Sequence, residues 1–178
     1  MMSLRYRQAV CLAFALSSLV FPLLGKEKQA QKESAPYFIL PTWDGKIVKS
    51  TSLKDQVILM VFFQTWCPDC QRMSPHLEKI YQKYKAQRFV VLGVSHDVEK
   101  VKAIAPYIKK YSLTYPILLG DTSIAINYLN VTARSPNFTI PYLVLVNRNG
   151  NIVGRFVQGR NKETTDFQLL EDQILSLL

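Results

Sequence analysis

The chain has 178 residues, 48% hydrophobic and 20% charged, which is enough apolar material for one well-buried domain plus a short extra segment. That composition excludes an intrinsically disordered chain. The formal charge is +9, but the lysines and arginines are spread out and carry no recognition motif, so nucleic acid is excluded as a partner; the charge reads as a solvated surface, or as attraction to an anionic membrane or an acidic partner.

In chain order, Arg5 and Arg7 come first, ahead of an uncharged apolar stretch, residues 9–25, that stops at Lys26-Glu27-Lys28. A basic head and such a stretch make residues 1–25 a signal peptide or an N-terminal membrane anchor. The stretch is at the lower limit of a bilayer span, so its length leaves both readings open. Cys11 belongs to it. Either reading places the domain outside the cytoplasm, in the periplasm or on the outer face of the cytoplasmic membrane, where disulfides persist and need managing. Residues 26–35 are polar and lysine-rich and read as a linker, which leaves a domain at residues 36–178.

Residues 37–40 and 46–48 are expected to form two short strands joined through Asp44-Gly45, a strong hairpin signal. A turn follows at residues 52–55. The run Val57-Ile58-Leu59-Met60-Val61-Phe62-Phe63 is apolar without alternation, as a strand buried on both faces reads. Next comes Trp66-Cys67-Pro68-Asp69-Cys70, after which Met73, Leu77, Ile80, Tyr81 and Tyr84 fall on one helical face. Pro68 suits a first helical turn, where its missing N–H loses no partner. Cys67 is thereby predicted at the mouth of a helix and at the carboxyl end of a central strand. A helix N-terminus offers unpaired N–H groups and partial positive charge, which stabilise a thiolate. Cys70 is one turn further on and can close a Cys67–Cys70 disulfide. The expected roles are Cys67 as nucleophile and Cys70 as resolving thiol. Asp69 reads in two ways, as a negative charge beside the thiols that opposes a second one on Cys67, or as a solvated acid of the helix start. Trp66 is expected to cover the nucleophile. A zinc site needs a second cluster, and only Cys11, His76 and His96 remain, so no metal is expected.

Residues 89–95 read as another buried strand. Asp97 is expected to cap a helix through about residue 111, with Val101, Ile104, Ile108 and Tyr111 on one face and a kink or break at Pro106. A short strand is predicted at residues 115–119, a short helix at 122–129 and an irregular loop at 130–140. A strand at 141–146, a tight turn at residues 147–150 and an antiparallel strand at 152–157 follow. The last helix is expected over residues 163–177, with Phe167, Leu170, Ile174 and Leu177 as its apolar face. This alternation predicts an α/β three-layer sandwich with right-handed crossovers and an antiparallel edge. His76 is expected to be solvated and His96 to sit in a loop.

The segment Phe62-Phe63-Gln64-Thr65-Trp66-Cys67-Pro68-Asp69-Cys70 resembles the active-site segment of thioredoxin-fold proteins. More narrowly it resembles the TlpA/ResA-like thiol-disulfide oxidoreductases of bacterial envelopes, which overlap the redoxin and peroxiredoxin-like group, and the resemblance runs from about Pro36 to the C-terminus. It implies a thioredoxin-like fold with an N-terminal β-hairpin, carried here by P-x-F-x-L-x-x-x-D-G-K-x-V-x-x-x-x-L from Pro36 to Leu53, and a central strand–helix insertion at residues 115–129. It also implies a cis bond at Ile140-Pro141, facing the two cysteines and offering neighbouring backbone to a substrate peptide. The implied activity is reduction of protein disulfides in the envelope, as in apocytochrome c maturation, by a monomer that a membrane thiol-donating carrier re-reduces. No cofactor is implied, since the cysteines are the redox centre. Two departures stand out. The positions where relatives bury an acid near the motif hold Val61 and Met73, so no proton acceptor for Cys70 is evident, and the path through residues 130–140 is longer than usual. Three alternatives stay open. A peroxiredoxin-like peroxidase fits Leu92-Gly93-Val94-Ser95-His96-Asp97, although Thr65 stands two residues before Cys67 and not three. An envelope disulfide oxidase or isomerase would use the same cysteines in the opposite direction. A non-catalytic metal-binding module would be expected to carry CxxxC rather than this spacing.

Overall fold

The computed structural model describes residues 32–97, 101–135 and 137–178. The expected signal or anchor and most of the expected linker lie outside the described residues. The strands are β1 (Glu33–Ser34), β2 (Ile39–Pro41), β3 (Ile47–Lys49), β4 (Val57–Phe63), β5 (Phe89–Ser95), β6 (Ile117–Leu119), β7 (Tyr142–Val146) and β8 (Asn151–Val157). The helices are α1 (Pro68–Tyr84), α2 (Val101–Tyr111), α3 (Thr122–Leu129) and α4 (Phe167–Leu175).

β4 is buried along its whole length, and its two faces feed two cores because successive side chains of a strand point opposite ways. Val57, Leu59, Val61 and Phe63 pack with Met73, Leu77 and Ile80 of α1, with Ile104 and Tyr107 of α2, and with Leu170 and Ile174 of α4. Ile58, Met60 and Phe62 pack with Ile124, Tyr128 and Leu129 of α3 and with Phe38 and Leu40 of the hairpin. These are the three layers that the strand–helix alternation predicts. The six-stranded sheet has the order β1-β8-β7-β4-β5-β6. β4 runs parallel to β5 and antiparallel to β7, and β8 returns antiparallel to β7. β2 and β3 pair separately through a turn in which Gly45 has φ +87°, a conformation that costs a side-chain-bearing residue and glycine little.

β4, β5 and α3 fall where the sequence puts them. Three expectations need correction. The end of the segment read as linker joins the sheet, Glu33 pairing with Ile152 and Ser34 with Asn151. Pro106 neither ends nor divides α2, because Ile104 and Tyr107 on either side of it are buried in the core and hold the turn that lost its N–H. The Asp97 carboxylate accepts from Thr65 and Ser95, and the turn it was expected to cap, residues 98–100, lies outside the described residues. The last helix begins only at Phe167, capped by the Asp166 carboxylate accepting the Leu169 N–H at 3.2 Å, with a 3₁₀ turn at Lys162–Thr164 before it.

Candidate active site

β4 ends at Phe63, and after three residues the chain enters α1 with Cys67 as its N-cap and Pro68 as its first helical residue. The Cys67 Sγ takes the place of a capping oxygen and accepts the Cys70 N–H at 3.2 Å. Cys67 is 5% exposed and Cys70 2%, and both are free thiols. Trp66, expected to cover Cys67, is 56% exposed.

The approach to Cys67 is pinned from several directions. Asp97, 4% exposed, accepts the Thr65 N–H at 2.7 Å and the Thr65 hydroxyl at 3.2 Å, and also takes the Ser95 hydroxyl at 3.0 Å. The Gln71 amide of α1 donates to the Thr65 carbonyl at 2.8 Å. A buried carboxylate is tolerated when it is hydrogen-bonded, and this one uses its bonds to fix the backbone two residues before Cys67.

β7 lies beside β4, so the entry to β7 faces the entry to α1. The Ile140–Pro141 bond is cis, and the Ile140 carbonyl oxygen is 3.9 Å from Cys67 Sγ. The Pro141 carbonyl accepts the Gln158 N–H at 3.2 Å, which ties this corner to the end of β8.

Beneath Cys70 the pattern is unusual. Val61 and Met73 are buried and apolar, and the polar groups nearby are hydroxyls. The Ser74 and Tyr107 hydroxyls lie 2.6 Å apart and 3.0 and 3.2 Å from the Cys70 carbonyl oxygen; with one proton each, one donates to the carbonyl and the other to its neighbouring hydroxyl. Burial pushes the Cys70 thiol well above its ordinary range, the hydrogen-bonded Cys67 sulfur pushes the same way, and Asp69 adds to it. Asp69 is ion-paired with Arg72 on the same helix turn.

Two depressions flank the cysteines. One, about 280 Å³, is lined by Asp69, Arg72, His76, Gln158, Thr164 and Phe167. The other, about 340 Å³, is lined by Gln64, His96, Thr122, Asn137, Phe138 and Ile140. A roomier cavity of about 500 Å³ lies toward the other end of β4, against Phe38, Ile58, Met60 and Tyr128, and has no thiol in its walls. Among the described residues no group of three or more His, Cys, Asp or Glu could hold a metal ion. Among them, too, no helix is long and apolar enough to cross a membrane.

Cys67, Cys70, Pro68, Asp69, Ile140 and Pro141 therefore meet at one end of the sheet. His76 stays outside, its imidazole stacked on Phe167 at 4.0 Å. Asp97, Ser74 and Tyr107 were not identifiable as site residues by motif. The one available signal for Asp97 was an acid two residues past a buried serine, where the neighbouring parallel strand ends.

A family model described as AhpC/TSA matches residues 32–155. The thiol-disulfide oxidoreductase ResA of Bacillus subtilis (strain 168) is 27% identical over 142 residues, covering 80% of this chain and 74% of that one. A putative protein disulfide isomerase from Bacteroides thetaiotaomicron superposes with a TM-score of 0.70 at 30% identity, over 83% of this chain and 89% of its own. A thiol:disulfide interchange protein of the thioredoxin family from Chlorobium tepidum TLS superposes with the same TM-score, 0.70, at 25% identity, over 82% and 98% of the two chains.

Proposed function

Because the chain belongs to the AhpC/TSA family and is a thiol-disulfide oxidoreductase of thioredoxin-like fold, we propose that it reduces disulfides of exported proteins, with Cys67 as nucleophile and Cys70 as resolving thiol. The observation that carries the reading is the Cys67 sulfur at the N-terminus of α1, 3.9 Å from the Ile140 carbonyl. A sulfur placed there is stabilised as thiolate by the helix end. The Ile140 carbonyl, which accepts from the Cys67 thiol at rest, can turn to an extended client segment as a backbone partner.

The steps balance as thiol–disulfide exchange. The Cys67 thiolate attacks one client sulfur, a Cys67–client disulfide forms, and the second client sulfur leaves as thiolate and takes a proton. The Cys70 thiol gives up its proton, its sulfur attacks Cys67 Sγ, the Cys67–Cys70 disulfide forms and the client leaves as a dithiol. Two electrons pass to the client, and an external thiol donor restores the Cys67–Cys70 pair. Burial of Cys70 and its raised pKa keep it protonated during the first step, so it does not compete with Cys67.

Residues 1–25, read as signal or anchor, support action outside the cytoplasm, on the membrane if the segment stays attached. Clients awaiting haem attachment, such as apocytochrome c, and a membrane thiol donor are the partners this reading adds. The test uses two variants and a disulfide-bonded client peptide. Cys67→Ser should abolish reduction, and Cys70→Ser should accumulate a mixed disulfide through Cys67, visible as the added client mass. Reduction that persists in Cys67→Ser contradicts the assignment, and peroxide turnover that persists in Cys70→Ser would favour a peroxidase.

A further inference from the structure

His96 has no part in the exchange chemistry, yet it stands between the nucleophile's strand and the loop that carries Ile140. Its imidazole stacks on Phe62, ring centroids 5.9 Å apart and planes inclined by 26°. Phe138 meets it edge-on at 5.0 Å and meets Phe62 at 6.4 Å. Its backbone is bonded to the same place, its N–H donating to the Phe63 carbonyl at 3.0 Å and its carbonyl accepting from the Gln64 amide at 3.3 Å. Room for the ring comes from Gly120, where a Cβ would come within 3.0 Å of the imidazole Nε2 and 2.7 Å of Val94.

We propose that His96 is a positioning residue: its neutral imidazole, clamped between Phe62 and Phe138, holds residues 137–140 and so the Ile140 carbonyl against Cys67, and the clamp opens when the ring takes a proton. The inference deepens the proposed function, since it rests on the Ile140 carbonyl as the edge where clients dock.

The chemistry of the ring supports this directly. Nε2 is shut off from solvent and meets no hydrogen-bond partner among the described residues. In the neutral ring that nitrogen can be a bare lone pair, which costs little. In the protonated ring it must carry an N–H with no acceptor, beside two phenyl rings. The charged groups that face it are Asp97 on its own turn and Asp121 at the start of α3. Both have other commitments: Asp97 holds Thr65 and Ser95, and Asp121 accepts the Ile124 N–H at 2.9 Å and the Ser123 hydroxyl at 2.7 Å. Burial accordingly lowers the pKa of His96 and outweighs the two carboxylates, which raise it. With the folded value below the ordinary 6.5, the neutral clamp is fully in place above that pH and is lost as pH falls through the lowered value.

The experiment uses the full-length protein and its His96→Phe, His96→Ala and Phe138→Ala variants, each at about pH 5.5 and about pH 7.5. One readout is kcat and KM for a disulfide-bonded client peptide, and the other is hydrogen exchange of residues 137–140, corrected for the intrinsic pH dependence of amides. In the wild type, acidification should raise KM and speed exchange in residues 137–140 while amides of β4 stay protected. His96→Phe keeps the aromatic wedge and should lose the acid response, leaving only the pH dependence that the Cys67 thiolate imposes. His96→Ala and Phe138→Ala should exchange fast at both pH values. Equal pH ratios for wild type and His96→Phe, or exchange in residues 137–140 indifferent to pH, overturn the proposal. Exchange needs no client, so a protein that reduces no peptide yet still opens in acid sinks the substrate reading and leaves the clamp standing.

Discussion

Thr65 is the residue through which most of the order at Cys67 passes. Its N–H and hydroxyl bind Asp97, and its carbonyl binds Gln71. Replacing Asp97 with Ala leaves a buried N–H and two hydroxyls without their acceptor, at about 1–3 kcal/mol for an unsatisfied group. Asp97→Ala should therefore lower the denaturation midpoint at unchanged slope and slow client reduction, whereas Asp97→Asn, which keeps one acceptor oxygen, should lose less of both. Equal losses in the two variants would show that the acceptor oxygen Asn retains counts for nothing at this position. Asp69 acts on charge. Burial is the main force raising the Cys70 thiol and the Cys67 sulfur is next, with Asp69, ion-paired to Arg72, adding a smaller push. Asp69→Asn should move the Cys70 titration down and Arg72→Ala should move it up, as read from thiolate absorbance. Shifts of the same sign in both would contradict the electrostatic account.

At the scale of elements, α1 is held by the face it buries rather than by its own bonds, for it runs on through Pro75. Leu77, 1% exposed, sits at the centre of that face against β4 and α4. Leu77→Ala should cost about 2–5 kcal/mol, the range for deleting a buried leucine side chain, and urea denaturation would read it. A loss under about 1 kcal/mol, the order of an Ile→Val change, would mean that the helix repacks around the gap. Elements read well from sequence where local pattern and tertiary environment agree. Val57–Phe63 is unbroken and apolar because both its faces are covered, and Thr122–Leu129 begins after Asp121 because that carboxylate caps it. β1 was illegible because local composition does not make it a strand. It is fixed by pairing with β8 and by the two-pronged bond of Arg155 to Glu33, at 2.6 and 2.7 Å, across 122 positions of sequence. The site divides the same way. Cys67, Cys70 and Pro141 were legible from motif and resemblance, whereas Asp97, Ser74, Tyr107 and the role of Phe138 depend on contacts more than thirty residues apart.

For the whole molecule, β4 separates two cores and delivers the sulfur to one end of the sheet, where α1, β5 and β7 all contribute to the corner around it. That arrangement suits exchange in either direction, and the direction depends on how strongly the fold stabilises the dithiol over the disulfide. A buried Cys70 with a raised pKa and Asp69 beside it work against an overly stable thiolate, as a reductase needs, while the apolar Val61 and Met73 add no second carboxylate to that effect. The measurement that tests this most directly is the reduction potential of the Cys67–Cys70 pair, by equilibrating the full-length protein in glutathione buffers and quantifying that pair by mass. The account predicts a value near that of thioredoxin, about −270 mV. A value near about −120 mV, that of a strong disulfide-forming oxidant, would contradict it and turn the electron flow around.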